Sequence, residues 1–145
     1  MVTKLGQYFT LEELTQSQTA TRRGIDNTPD ERVINELGWL VKFILDPLRV
    51  ITKSPITISS GYRSPELNRA IGGSKTSQHC LGQAADINST VLGTERLFNL
   101  IKNSNLPFDQ LINEGTWVHV SYGYRNRREV LVATFDKGKV TYSPG

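Results

Sequence analysis

The sequence predicts one α+β domain, 1–145, in which helices come first and a largely antiparallel sheet comes last. Three observations predict it. Two helix-start signals, Thr10-Leu11-Glu12-Glu13 and Thr28-Pro29-Asp30-Glu31, lie early in the chain, and four short β-type runs follow Phe108. The chain has 145 residues, 37% hydrophobic and 21% charged, which suits a single packed core rather than a disordered polymer.

In both start signals a threonine stands three residues before a glutamate, the capping-box pattern that satisfies the first-turn amides. Pro29 would then occupy the first helical position, where its missing N–H costs nothing. Val33, Leu37, Leu40, Val41, Ile44, Leu48 and Ile51 follow as the buried stripe of a long helix, which Pro47 should kink or split. Ile56 to Ser59 alternates like a strand, and Ser64-Pro65-Glu66 opens a short helix that Gly72-Gly73 ends. Ala84-Ala85-Asp86-Ile87 reads as a short buried strand, with a helix over Thr94 to Lys102 after it. Phe108 to Asn113, Trp117 to Tyr122, Glu129 to Phe135 and Lys139 to Tyr142 then read as a meander. Its last two strands join across Asp136-Lys137-Gly138, a turn sequence.

The net charge is +3, and the basic residues are dispersed apart from Arg22-Arg23 and Arg125 with Arg127-Arg128. That is a mild bias toward anionic partners such as cell-wall polymers, without the dense basic stripe and interleaved aromatics that nucleic-acid binding needs. Cys80 is the single cysteine, so no intrachain disulfide is expected. No apolar run approaches the roughly 20 residues of a membrane span, so membrane insertion is not expected, and the chain is expected to be a monomer. The opening Met1-Val2-Thr3-Lys4 shows no apolar signal-peptide region. The expectation is synthesis in the cytoplasm, with action at the cell wall only after release.

The two histidines, His79 and His119, mark the chemistry. Asp86 stands within the most apolar short run of its region, where an unpaired carboxylate would cost several kcal/mol to bury. An arginine would serve as its partner, and so would a metal ion. Two histidines and one carboxylate form a common catalytic zinc set that leaves one position open. His79 and Asp86 are seven apart with Gly82 between them, which suggests a loop ligand and a strand ligand rather than two on one helix face. Alternation puts Trp117, His119 and Ser121 on one face of the later strand and Val118 and Val120 on the other. Packing alone would also account for Trp117, and Cys80 reads as a small core residue.

Ser77-x-His79-x-x-Gly82-x-Ala84-x-Asp86 resembles the S-x-H-x-x-G-x-A-x-D element of the M15 family of zinc D-Ala-D-Ala carboxypeptidases. Trp117-Val118-His119 is similar to that family's closing W-x-H element. Ser60-Gly61-Tyr62-Arg63-Ser64 with Leu67-Asn68, and the opening Tyr8-Phe9-Thr10-Leu11-Glu12-Glu13-Leu14, resemble its compact phage-like and bacterial branch. The resemblance covers nearly the whole chain. It implies a hedgehog/DD-peptidase-like fold, zinc held by His79, Asp86 and His119, Arg63 steadying substrate or oxyanion, and Glu114 as general base. Ser77, Trp117 and Gln110 are its candidate substrate-binding residues, and Asp109 or Gln110 a candidate to orient a ligand imidazole.

The implied activity is hydrolysis of peptidoglycan stem peptides, by a carboxypeptidase or an endolysin-type endopeptidase. The alternative is a zinc-containing cell-wall peptide-binding module that does not cut. One departure bears on that choice. Many relatives carry the base three residues before the final histidine, where this chain has Thr116. Glu114 lies five before it and, by strict alternation, faces away from His119 unless Gly115-Thr116 forms a turn that resets the parity.

Overall fold

A computed structural model of the chain describes residues 2–145. Helix α1 (Leu11–Thr15) starts as expected: Thr10 Oγ1 accepts from the Glu13 N–H, and the Glu13 carboxylate accepts from the Thr10 N–H, both at 3.1 Å. A short α2 (Gln18–Arg23) ends at Gly24 in the left-handed region. The second start differs from expectation. Helix α3 (Glu31–Leu40) is capped by Asp30, whose carboxylate accepts from the Val33 N–H at 2.9 Å. Thr28 instead donates its own N–H to Asp26, so Pro29 stays outside the helix. Aspartate caps at least as well as threonine, which explains why the later start prevails.

From α3 the backbone continues through a π-helical turn, Val41–Leu45, into α4 (Asp46–Thr52). Pro47 has no N–H to continue the regular ladder, and the turn ahead of it widens by a residue. An extra residue rotates everything beyond it by about 100°. The stripe therefore shifts: Leu45 is fully buried, and Ile51, expected inside, is 46% exposed.

Six strands form one sheet: β1 (Thr57–Ser60), β2 (Ala84–Asn88), β3 (Gln110–Asn113), β4 (Val118–Ser121), β5 (Glu129–Asp136) and β6 (Lys139–Pro144). Helix α5 (Pro65–Ala70) begins at Ser64 as expected, and α6 (Gly93–Lys102) follows β2. The spatial order is β1-β2-β4-β3-β5-β6. The last four strands are thus not a simple meander. β4 inserts between β2 and β3, and β5 pairs parallel to β3; every other pairing is antiparallel. The β3–β4 and β5–β6 pairs are local hairpins, and the turn of the second carries positive φ at both Lys137 and Gly138 as a type I′ turn requires.

One face of the sheet closes the core. Ala85 and Ile87 of β2 and Val118 and Val120 of β4 join Leu37, Leu40, Ile44 and Leu48 of the helical rod and Leu97, Phe98 and Ile101 of α6 in a single hydrophobic cluster. By period two, the opposite face receives Asp86 and His119. Among the described residues, no helix is long and apolar enough to cross a membrane.

Candidate active site

Register builds the site. Asp86 on β2 is the direct cross-strand partner of His119 on β4, His119 pairs with Ile112 on β3, and Ile112 pairs with Leu131 on β5. These four side chains form a row across the solvent side of the sheet and line one open cleft of about 510 Å³. His79 reaches the row from outside the sheet. It sits in a 3-10 turn, Gln78–Leu81, whose cap Ser77 accepts the His79 N–H.

His79 Nε2 stands 3.3 Å and His119 Nδ1 3.2 Å from the same oxygen, Asp86 Oδ1. The three candidate ligand atoms all lie within 4.8 Å of one another. Atoms bound at about 2.0–2.1 Å to a tetrahedral zinc are themselves about 3.3–3.4 Å apart, so the two measured separations fit such an ion. The His79 tautomer points the same way. Nδ1 donates to the Gly61 carbonyl at 2.7 Å, so Nε2 turns a lone pair toward a carboxylate oxygen, a repulsive pairing unless a proton or cation lies between them. With His79 3% and Asp86 9% exposed, little water is there to screen it. Burial opposes ionisation of Asp86, but the neighbouring imidazoles of His119 and His79 outweigh it and hold the carboxyl well below the ordinary range. The donor set and its buried charge fit a divalent ion. Cys80 is not in the group.

Glu114 also lines the cleft, and the hairpin explains how. β3 and β4 pair Asn113 with Val118 and Ile112 with His119; one step on, the Glu114 N–H donates to the Trp117 carbonyl at 3.0 Å. Gly115 and Thr116 are the two loop residues, with Gly115 at φ 90. Cross-strand partners share a face, so Glu114 shares that of Trp117 and hence of His119. The expectation of opposite faces counted along a strand that in fact turns back. Glu114 therefore lies on the cleft side of the hairpin.

A family model described as Peptidase M15 matches residues 7–121. The chain belongs to the peptidase M15 family. No curated protein matches the chain. Membership makes this a metallopeptidase family chain with a His-Asp-His group suited to its metal. The match includes β1 through β4 and stops before β5 and β6.

Around the centre of this M15 peptidase, the remaining expected residues divide. Arg63 follows β1, lines the cleft, and donates from Nη2 to Ser77 Oγ at 3.1 Å, while its buried Nε has no acceptor among the described residues. Burial lowers its pKa, opposed by the Asp86 charge. Ser77 is therefore occupied as a cap and as a prop for Arg63, though it too lines the cleft. Trp117 forms part of the wall just before β4.

Asp109 and Gln110 do not orient an imidazole. Asp109, fully buried, accepts from Arg127 Nε at 2.8 Å, from Arg125 Nη2 at 3.3 Å and from Gln78 at 3.0 Å. Gln110 lines the cleft but donates to Glu129. The acceptor for His79 is the Gly61 backbone instead, which a side-chain inventory of the sequence does not reveal.

Tyr142, Arg125 and Arg127 are among the cleft residues that sequence reasoning missed. Tyr142 arrives on β6 beside Glu114, and each affects the other's protonation. Burial raises the Tyr142 pKa first and the Glu114 charge adds to it. For Glu114, burial raises the pKa, and Asp86 also raises it, against lowering by His119 and Tyr142. The arginines were legible only as a basic cluster.

Proposed function

We propose that this chain hydrolyses peptide bonds in bacterial peptidoglycan stem peptides, with zinc held by His79, Asp86 and His119. The observation that carries the reading is the convergence of His79 Nε2, Asp86 Oδ1 and His119 Nδ1 in one open cleft that Glu114 and Arg63 also line. The stem-peptide substrate is supported by the resemblance of the Ser77 to Asp86 element to that of D-Ala-D-Ala carboxypeptidases. Action at the wall would follow release of the protein from the cytoplasm.

A zinc ion held by His79, Asp86 and His119 would supply Lewis acidity and would lower the pKa of a water toward about 7. Asp86 brings negative charge to the donor set, and the Gly61 carbonyl holds the His79 ring with Nε2 facing inward. Glu114, half-buried with a raised pKa, accepts a proton from the attacking water and returns it to the leaving amine. Arg63, whose side chain lines the cleft, donates to the carbonyl oxygen as negative charge develops there. Ser77 keeps that guanidinium in place.

Digestion of purified peptidoglycan by the zinc-loaded protein, with mass analysis of the fragments, tests this. New amino and carboxyl termini within stem peptides are expected, and a chelator should abolish them. Intact stem peptides after incubation with fully zinc-loaded protein would remove the substrate assignment.

A further inference from the structure

We infer that Arg125 forms a carboxylate-binding subsite of the cleft, taking a carboxylate that the peptide substrate carries near the scissile bond. This rests on the peptidase reading above and names a feature of its substrate.

The three arginines of the loop 122–128 have distinct jobs. Arg128 faces inward: its guanidinium donates to the carbonyls of Lys102, Ser104 and Leu106, tying the loop to the end of α6, and it lies over the Phe108 ring at 4.3 Å. Arg127 is committed to Asp109 through its Nε at 2.8 Å and its backbone N–H at 3.1 Å, and its Nη1 lies 3.9 Å from Glu129. Its charge is thus divided between two carboxylates. Arg125 makes a single hydrogen bond, 3.3 Å from Nη2 to Asp109, lies 6.0 Å from the Tyr124 ring centroid, and its side chain is 46% exposed. Its Nε and Nη1 have no acceptor among the described residues, and it lines the same cleft as His79, Asp86 and His119.

This arrangement suits anion recognition. Asp109 is fully buried and accepts from Arg125, Arg127 and Gln78, so Nη2 of Arg125 is held by a buried carboxylate while the residue lines the cleft. The loop beneath it is pinned by the Arg127 and Arg128 backbone N–H groups, which donate to Asp109 and to the Phe108 carbonyl. A guanidinium steered in this way offers a planar fork to a carboxylate at a smaller loss of side-chain freedom. A carboxamide of the same shape offers neither the charge nor a second acceptor oxygen.

The test uses three peptides: L-Ala-γ-D-Glu-L-Lys-D-Ala-D-Ala, its C-terminal carboxamide, and its form with the D-Glu α-carboxylate amidated. Binding is measured by calorimetry on zinc-loaded E114Q, which prevents turnover, and on E114Q/R125Q. One amidation should weaken binding to E114Q about tenfold or more, the worth of a charge-assisted hydrogen bond. The same amidation should change binding to E114Q/R125Q less than twofold, and which amidation matters identifies the carboxylate. R125K, which keeps the charge but not the fork, should recover part of the preference. Unchanged binding after both amidations, or equal weakening of all three peptides by R125Q, would overturn the subsite. So would no binding of any peptide. Thermal midpoints guard against misfolding, since Asp109 keeps Arg127 and Gln78 when Arg125 is replaced. Cleavage by the unmodified protein is scored separately: peptides bound with this preference but left uncut would defeat the peptidase reading and leave the subsite standing.

Discussion

The Gly61 carbonyl accepts from His79 Nδ1 at 2.7 Å, and Gly61 itself packs so tightly that a Cβ there would stand 2.2 Å from the Leu14 carbonyl oxygen. The orientation of the His79 ring thus depends on a residue with no side chain. That contact is with backbone, which a rotamer change cannot relieve. Replacing Gly61 with alanine forces α1 and the strand end apart and moves the acceptor. The expected result for G61A is a loss of zinc affinity of about ten- to a hundredfold, the usual cost of disturbing a ligand's outer partner. Competition against a chromogenic chelator measures it, and an affinity equal to that of the unmodified chain would refute the link.

Zinc should stabilise the folded chain through three side chains acting together. Dialysed protein should take up about one zinc per chain and melt at a higher temperature with it than without it. In D86A and H119A, both metal content and the zinc-dependent rise in melting temperature should vanish. Elemental analysis beside a thermal melt reads both quantities, and retention of stoichiometric zinc by D86A would break the assignment.

Glu114 should be separable from metal binding. E114Q is expected to keep its zinc and lose about a hundredfold or more in kcat. Burial raises the Glu114 pKa above the ordinary glutamate value, and a protonated carboxyl cannot accept a proton. The acid limb of kcat/KM should therefore fall as pH drops through a value above about 4.3 and be absent from the residual rate of E114Q. A pH profile that E114Q leaves unchanged in shape and height would take Glu114 out of the reaction.

Asp109 should show its role in acid. Burial opposes its ionisation, but hydrogen bonds and charge from Arg127, with Arg125 adding, prevail and lower its pKa. A carboxyl with a lower pKa folded than unfolded stabilises fully above the ordinary range of about 4, and that stability is lost as pH falls through the folded value. D109N should cost about 1–3 kcal/mol at neutral pH, the worth of charged hydrogen bonds, and the gap should narrow below about pH 4. Urea midpoints across pH decide it; a gap independent of pH would show that the charge is immaterial.

Much of this site was legible before any coordinates, because its signals are local. Asp86 stood out as a carboxylate in an apolar run, and alternation separated His119 from Val118 and Val120. The parts that were not legible depend on pairing between distant segments. Counting along one strand left the face of Glu114 dependent on a turn at Gly115-Thr116, and the β3–β4 register, with Gly115 at that turn, brings it to the cleft. Insertion of β4 between β2 and β3 sets Asp86 opposite His119, and no local pattern encodes such a neighbour. Tyr142 enters on β6, far along the chain, and Asp109 carried no mark of the two arginines that claim it. The Thr28 start failed for a local reason: Asp30 was an equal competitor two residues away.

In the loop 122–128, the side chains that anchor the wall and the one that meets the cleft are different residues. Arg127 and Arg128 are the foundation, and Arg125 is a fitting mounted on it. On the proposed subsite, a single codon change at Arg125 would alter what the wall attracts while the masonry behind it stays in place. Diversification among close variants of this hydrolase would accordingly concentrate at that one position and spare its two neighbours.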